Sequence, residues 1–145
     1  MLFEKIESLW AEDSKIDMTD LSNTSIKTYE LHAKYFKYLN EVRKQLARLD
    51  GRKARILLLK TEHLLGNLDQ ETMKEMGWKP NPKIIMKTDL SAYINGDQEI
   101  IDINVKIADL RQLAEFLDSI IRAVHNRSFV ITNIIEDRKF INGGR

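Results

Sequence analysis

Apolar residues recur at helical spacing along most of the chain, and the most regular run lies toward the C-terminus. Ile100, Ile103, Ile107, Leu110, Ala114, Leu117, Ile121 and Val124 follow one another in alternating steps of three and four residues, the repeat of a helix in a bundle or coiled coil. Ile101, Leu113 and Ile120 widen the stripe. Such a stripe serves either a core inside one chain or a seam between copies. A chain this small has few internal faces with which to cover two long helices, which favours the seam. Ile107, Leu110, Leu117, Ile121 and Val124 are therefore the candidate oligomerisation residues.

A second long pattern precedes it. Leu31, Tyr35, Leu39, Val42, Leu46, Leu49, Ile56 and Leu57 fall on one face of a helix, and no proline interrupts the chain from Thr19 to Leu65. Gly51 is the one weak point, costing about 1 kcal/mol relative to alanine. Thr19 or Ser22 is the candidate N-cap, and Gly66-Asn67 closes the helix. From Asn40 to Leu65 alone it would extend about 39 Å at 1.5 Å per residue, a length that predicts reach toward a neighbouring subunit.

The remaining segments are short. Residues 2–11 place Leu2, Phe3, Ile6, Leu9 and Trp10 on one face, an amphipathic helix whose partner is its own subunit, a second subunit or another protein. Residues 13–18 connect it onward, and 69–76 add a turn or two before Gly77. Pro80 and Pro82 bracket a loop, since each proline steers its predecessor away from helix. Thr88 caps a short helix through Asn95, with a turn at Gly96-Asp97. Asn126 to Ser128 either interrupt the chain or cap a last helix that ends at Gly143-Gly144. No strand alternation appears. The predicted fold is all-α: long helices in a helical hairpin or bundle that self-associate into a homo-oligomer. Three regions follow: an N-terminal helical part over 1–66, a connector over 67–87 and a C-terminal oligomerisation part over 88–145.

Charge changes this picture most in the middle of the chain. The 145 residues carry a net charge of +1, but residues 21–65 hold 10 basic and 4 acidic side chains. Lys34, Lys37, Lys44, Arg48, Arg52 and Arg55 share one arc of the second helix, opposite its apolar face. From Arg43 to Lys60 there are seven basic residues and one acid, Asp50. An ordinary solvated face mixes signs to gain pairs one turn apart. This one does not, and an anionic partner is the natural complement. Lys44, Arg48, Arg52, Lys53, Arg55 and Lys60 are the candidate residues for binding such a partner, of which nucleic acid is one. Tyr29 and Phe36 fall off the basic arc, while Tyr35 and Tyr38 fall toward the packed side. A cationic stripe without rings grips phosphates rather than bases.

Other chemistry is sparse. With no cysteine, disulfides and thiolate metal sites are excluded, and a reducing compartment fits. His32, His63 and His125 have no metal-ligand spacing. Neither a phosphate-binding glycine loop nor a nucleophile elbow occurs, so no enzyme activity, cofactor or metal is expected. No apolar run approaches a membrane span, and no signal peptide is visible at the start.

Several segments together resemble a family. Asp13-Ser14-Lys15-Ile16-Asp17, Leu31-His32-Ala33-Lys34-Tyr35, Asn126-Arg127-Ser128-Phe129-Val130-Ile131, and Glu136-Asp137-Arg138-Lys139-Phe140 through to Gly143 resemble the UvsY recombination mediators of T-even-type bacteriophages. The likeness covers essentially the whole chain. It implies a ring-forming, non-enzymatic protein, hexameric or heptameric, acting in the cytoplasm of the infected host. Its implied partners are single-stranded DNA, the phage single-strand DNA-binding protein and a UvsX-like phage recombinase that it helps to load. The family's basic DNA-binding stretch corresponds to Lys53 to Gly66, where Leu58 and Leu59 stand at positions more often Lys and Ala. The rival readings are a coiled-coil adaptor that binds only protein and an architectural protein that binds duplex DNA.

Overall fold

A computed structural model describes residues 2–81, 83 and 85–143. Five helices follow in order: α1 (Leu2–Asp13), α2 (Leu21–Leu64), α3 (Gln70–Met76), α4 (Leu90–Asn95) and α5 (Gln98–Ile141). Pro82 and Gly144, assigned to the loop and the C-terminal stop, lie outside the described residues. Two compact units form, Met1–Arg43 with Gln112–Arg145, and Lys44–Arg111. They cut across the sequence-based division at 67–87, because α2 and α5 each contribute residues to both units.

In the first unit, α1 finds its partner within its own chain. Ile6 is buried, Phe3 packs on Phe116 with centroids 5.2 Å apart, and Trp10 meets Tyr35 edge-on at 5.4 Å. Tyr35, Leu39 and Val42 of α2 are buried, as are Leu113, Leu117, Ile120, Val124 and Ile131 of α5. Leu117 is 0% exposed and Val124 1%. Both are enclosed by their own subunit, which overturns their assignment to a seam between copies.

Polar contacts tie the 13–18 connector to this core. Asp13 Oδ2 accepts hydrogen bonds from Lys34 Nζ at 2.5 Å and Tyr35 Oη at 2.7 Å. Burial pushes the Asp13 carboxyl up, but these two bonds and the nearby cations outweigh it and hold the group below its ordinary range. The same contact, added to burial, pushes the Tyr35 hydroxyl upward. Arg127 is 7% exposed. It donates to the carbonyls of Asp13 at 3.1 Å and Lys15 at 2.9 Å, satisfying acceptors that the end of α1 leaves open. Arg138 donates to the Met18 carbonyl.

α2 begins one residue after Asp20, whose Oδ1 accepts from the Asn23 N–H at 3.1 Å. Asp20 is thus the cap, rather than Thr19 or Ser22. Thr19 instead gives its N–H and hydroxyl to Asp17. The helix continues through Gly51 and stops at Gly66, which takes a positive φ of 78°. There the Asn67 N–H reaches the Glu62 carbonyl at 2.9 Å, the closing bond of a Schellman cap.

In the second unit, Ile56 of α2 and Ile100, Ile103 and Ile107 of α5 form the core, flanked by Leu46, Leu49, Leu57 and Ile94. Ile107, also assigned to the seam, is 4% exposed and packs internally. Lys60 pairs with Asp97 and Glu99 and Asp50 lies 4.0 Å from Arg111, so α2 and α5 are antiparallel here. Asp69 caps α3. Asp89 rather than Thr88 holds the N-cap position of α4, without a side-chain bond. Asp97 caps α5 through the N–H groups of Glu99 and Ile100. α5 then runs unbroken through Asn126–Ser128 to Ile141, so the possible interruption does not occur.

Candidate nucleic-acid interface

Of the basic arc, Lys44, Arg48, Arg52 and Arg55 fall on the part of α2 that belongs to the second unit, and Lys34 and Lys37 on the part that belongs to the first. At 100° per residue, Lys44, Arg48, Arg52 and Arg55 occupy an arc of about 80°. Leu46, Leu49 and Ile56 are the residues that pack; Lys44, Arg48 and Arg55 stand about 80° or more around the helix from them, while Arg52 lies at the edge of the packed face, about 40° from Ile56. All four cations are exposed. Among the described residues, Arg48, Arg52 and Arg55 have no ion pair. Three fixed guanidinium charges one helical turn apart suit successive phosphate oxygens, each able to take two parallel hydrogen bonds.

Two of the predicted residues stand apart. Lys53 is half-buried. Lys60 is folded into the protein: its side chain is 12% exposed and its Nζ lies 3.1 Å from Asp97 and 3.4 Å from Glu99. The same ammonium sits 4.3 Å from the centroid of the Trp78 ring, whose Nε1 donates to Glu99 at 3.1 Å. A cation held by two carboxylates and an aromatic face has its charge already matched. Lys60 therefore leaves the open stripe. Its partners lie 18 to 39 residues away, in α5 and after α3, and no local pattern around Lys60 points to them.

Farther up α2 the arc changes character again. Lys34, on the same side by sequence, is committed to Asp13. Of the aromatic residues, Tyr35 is buried and Tyr29 is 84% exposed. Tyr29 borders a cavity of about 490 Å³ in the first unit with His32, His125 and Phe129. Tyr29 thus lies in a different unit from Arg48, Arg52 and Arg55.

A family model described as recombination, repair and ssDNA binding protein UvsY matches residues 9–144. This chain belongs to the UvsY family. Membership makes it a recombination, repair and single-stranded-DNA-binding protein. No curated protein sequence matches it. Crystal structures of the bacteriophage T4 recombination mediator protein UvsY share its fold: one superposes with a TM-score of 0.84 at 18% identity, covering 97% of each chain. A second lattice form gives 0.84, with 97% and 99% covered, and a third 0.82. Among the described residues no helix is long and apolar enough to cross a membrane.

The segments that carried the UvsY resemblance gather in the first unit. Asp13, Lys34, Tyr35, Arg127 and Arg138 make the contacts that hold the 13–18 connector. These contacts give the resembling segments a role in folding.

Proposed function

We propose that this UvsY-family chain is a non-enzymatic recombination mediator. It holds single-stranded DNA on the arginine face of α2 and helps a UvsX-like recombinase load onto strands covered by the phage single-strand-binding protein, in the cytoplasm of the infected host. The observation that carries this reading is the exposure of Arg48, Arg52 and Arg55 without ion-pair partners beside a packed apolar face. Such a face holds phosphates and ignores base identity. A hexamer or heptamer belongs to the same reading, since several modest sites on one strand gain roughly 10²- to 10⁴-fold in avidity. Its contacts then use surface that one subunit leaves open, as at Phe129, Val130 and Phe140 of α5, rather than Ile107, Leu117 and Val124.

Fluorescence anisotropy on homopolymeric single strands tests DNA binding, with a slope of log K against log salt of about −0.7 per phosphate neutralised. Strand-exchange assays with recombinase and single-strand-binding protein test the mediator role. A slope near zero, or equal exchange with and without this protein, defeats the reading. Preference for duplex would favour the architectural alternative.

A further inference from the structure

The arginine face of α2 has a neighbour that its own sequence does not reveal. In the second unit a groove of about 150 Å³ is bordered by Arg52 on α2 and by Lys106 on α5. Their level along the helices follows from the ion pairs. Lys60 meets Asp97 and Glu99, and ten residues earlier on α2 Asp50 approaches Arg111. Antiparallel register between those points sets Arg52 within one helical turn of Lys106. Leu49, Ile56 and Ile103 line the groove between them.

Two carboxylates also border this groove, Glu99 and Asp102. Glu99 is engaged by Lys60 and by the Trp78 indole, and Asp102 accepts from the Gln98 amide at 2.7 Å. Both lie toward the start of α5, one and two turns before Lys106. Among the described residues neither Arg52 nor Lys106 has an ion pair, so both cations are open at this level of the groove, with the carboxylates of Asp102 and Asp109 one turn before and after Lys106 along α5.

From this geometry we infer that Arg52 and Lys106 form a two-helix phosphate clamp, which draws the backbone of a single strand into the groove instead of leaving it on α2 alone. The inference rests on the reading of α2 as a DNA-binding face. A guanidinium supplies a planar fork and an ammonium a mobile point charge; across a groove, the pair can contact one phosphate from two sides. Asp102 opposes the clamp, being a negative charge one turn from Lys106.

Salt-series anisotropy on oligo-dT with the full chain tests it, using Arg52→Gln, Lys106→Gln, Lys106→Arg and Asp102→Asn, with circular dichroism as a fold control. Lys106→Gln should lower the magnitude of the salt slope by about 0.7. Lys106→Arg should keep it, Asp102→Asn should tighten binding, and the losses from Arg52→Gln and Lys106→Gln should be less than additive. If wild type binds and Arg52→Gln weakens it while Lys106→Gln leaves the slope unchanged, the clamp is wrong and the α2 reading stands. Equal losses from Lys106→Gln and Lys106→Arg also overturn it, since packing rather than charge would then matter. Absence of salt-dependent binding by wild type rejects the underlying reading itself.

Discussion

The two compact units contain similar numbers of charges and use them differently. The first holds 11 basic and 12 acidic residues, the second 12 and 10. In the first unit, key cations face inward along the chain: Lys34 binds Asp13, Arg127 spans carbonyls at the end of α1, and Arg138 reaches the Met18 carbonyl. In the second, Arg48, Arg52 and Arg55 stand in solvent. A count of charges therefore says little about partners. What distinguishes the units is whether a carboxylate or a helix end lies within reach.

The largest effect should come from Arg127→Met. It removes hydrogen bonds from a charged donor to carbonyls of the 13–18 connector, each worth about 1.5–3 kcal/mol, and thermal or urea unfolding should show a loss of about 3 kcal/mol. An unchanged midpoint would mean that the buried guanidinium is not structural.

The opposite profile is expected for Arg48→Gln combined with Arg52→Gln and Arg55→Gln. The salt slope for single-stranded DNA should shrink by about 2, while stability stays within about 0.5 kcal/mol, as for exposed sites without partners. A comparable loss of stability would erase the contrast between the units.

Lys60→Met sharpens the contrast, because Lys60 is a cation of the second unit that behaves like those of the first. Losing its contacts to Asp97, Glu99 and the Trp78 face should cost about 1–3 kcal/mol, with little change in the DNA salt slope. A slope shift equal to that of one arginine would return Lys60 to the binding face.

The smallest effect concerns pH. Asp13 is held below its ordinary range in the folded chain, so its contribution to stability is fully present above the unfolded carboxylate pKa, about 3.9. It is lost as pH falls through the folded value. The stability difference between wild type and Asp13→Asn should hold constant from neutrality to about pH 5 and narrow below about pH 4. A difference that persists unchanged into stronger acid would show that the carboxylate charge is not what Tyr35 and Lys34 recognise.

Much of this arrangement was legible in the chain itself. The period of the apolar residues requires two long helices, because only a helix returns residues such as Tyr35, Leu39 and Val42 to one side. The same period places Arg48, Arg52 and Arg55 opposite that side. Local propensity was a poorer guide: Asn126 and Ser128 suggest a break, yet the flanking Val124, Arg127 and Ile131 are buried, and their packing outweighs the few tenths of a kcal/mol that such residues cost in a helix.

Tertiary structure decided which surface each pattern meets. A heptad stripe states that an apolar surface must cover it, not whose; Leu117 and Val124 are covered within the chain, in the unit that this part of α5 forms with α1 and the first part of α2. Likewise a lysine in a basic run states a charge, not a destination. Lys60 is drawn inward because folding brings Asp97, Glu99 and Trp78 to it, whereas Arg52 keeps its charge outward beside Lys106. Coulomb attraction and burial act over a few ångströms, and only the folded chain fixes which residues, distant in sequence, come within that range.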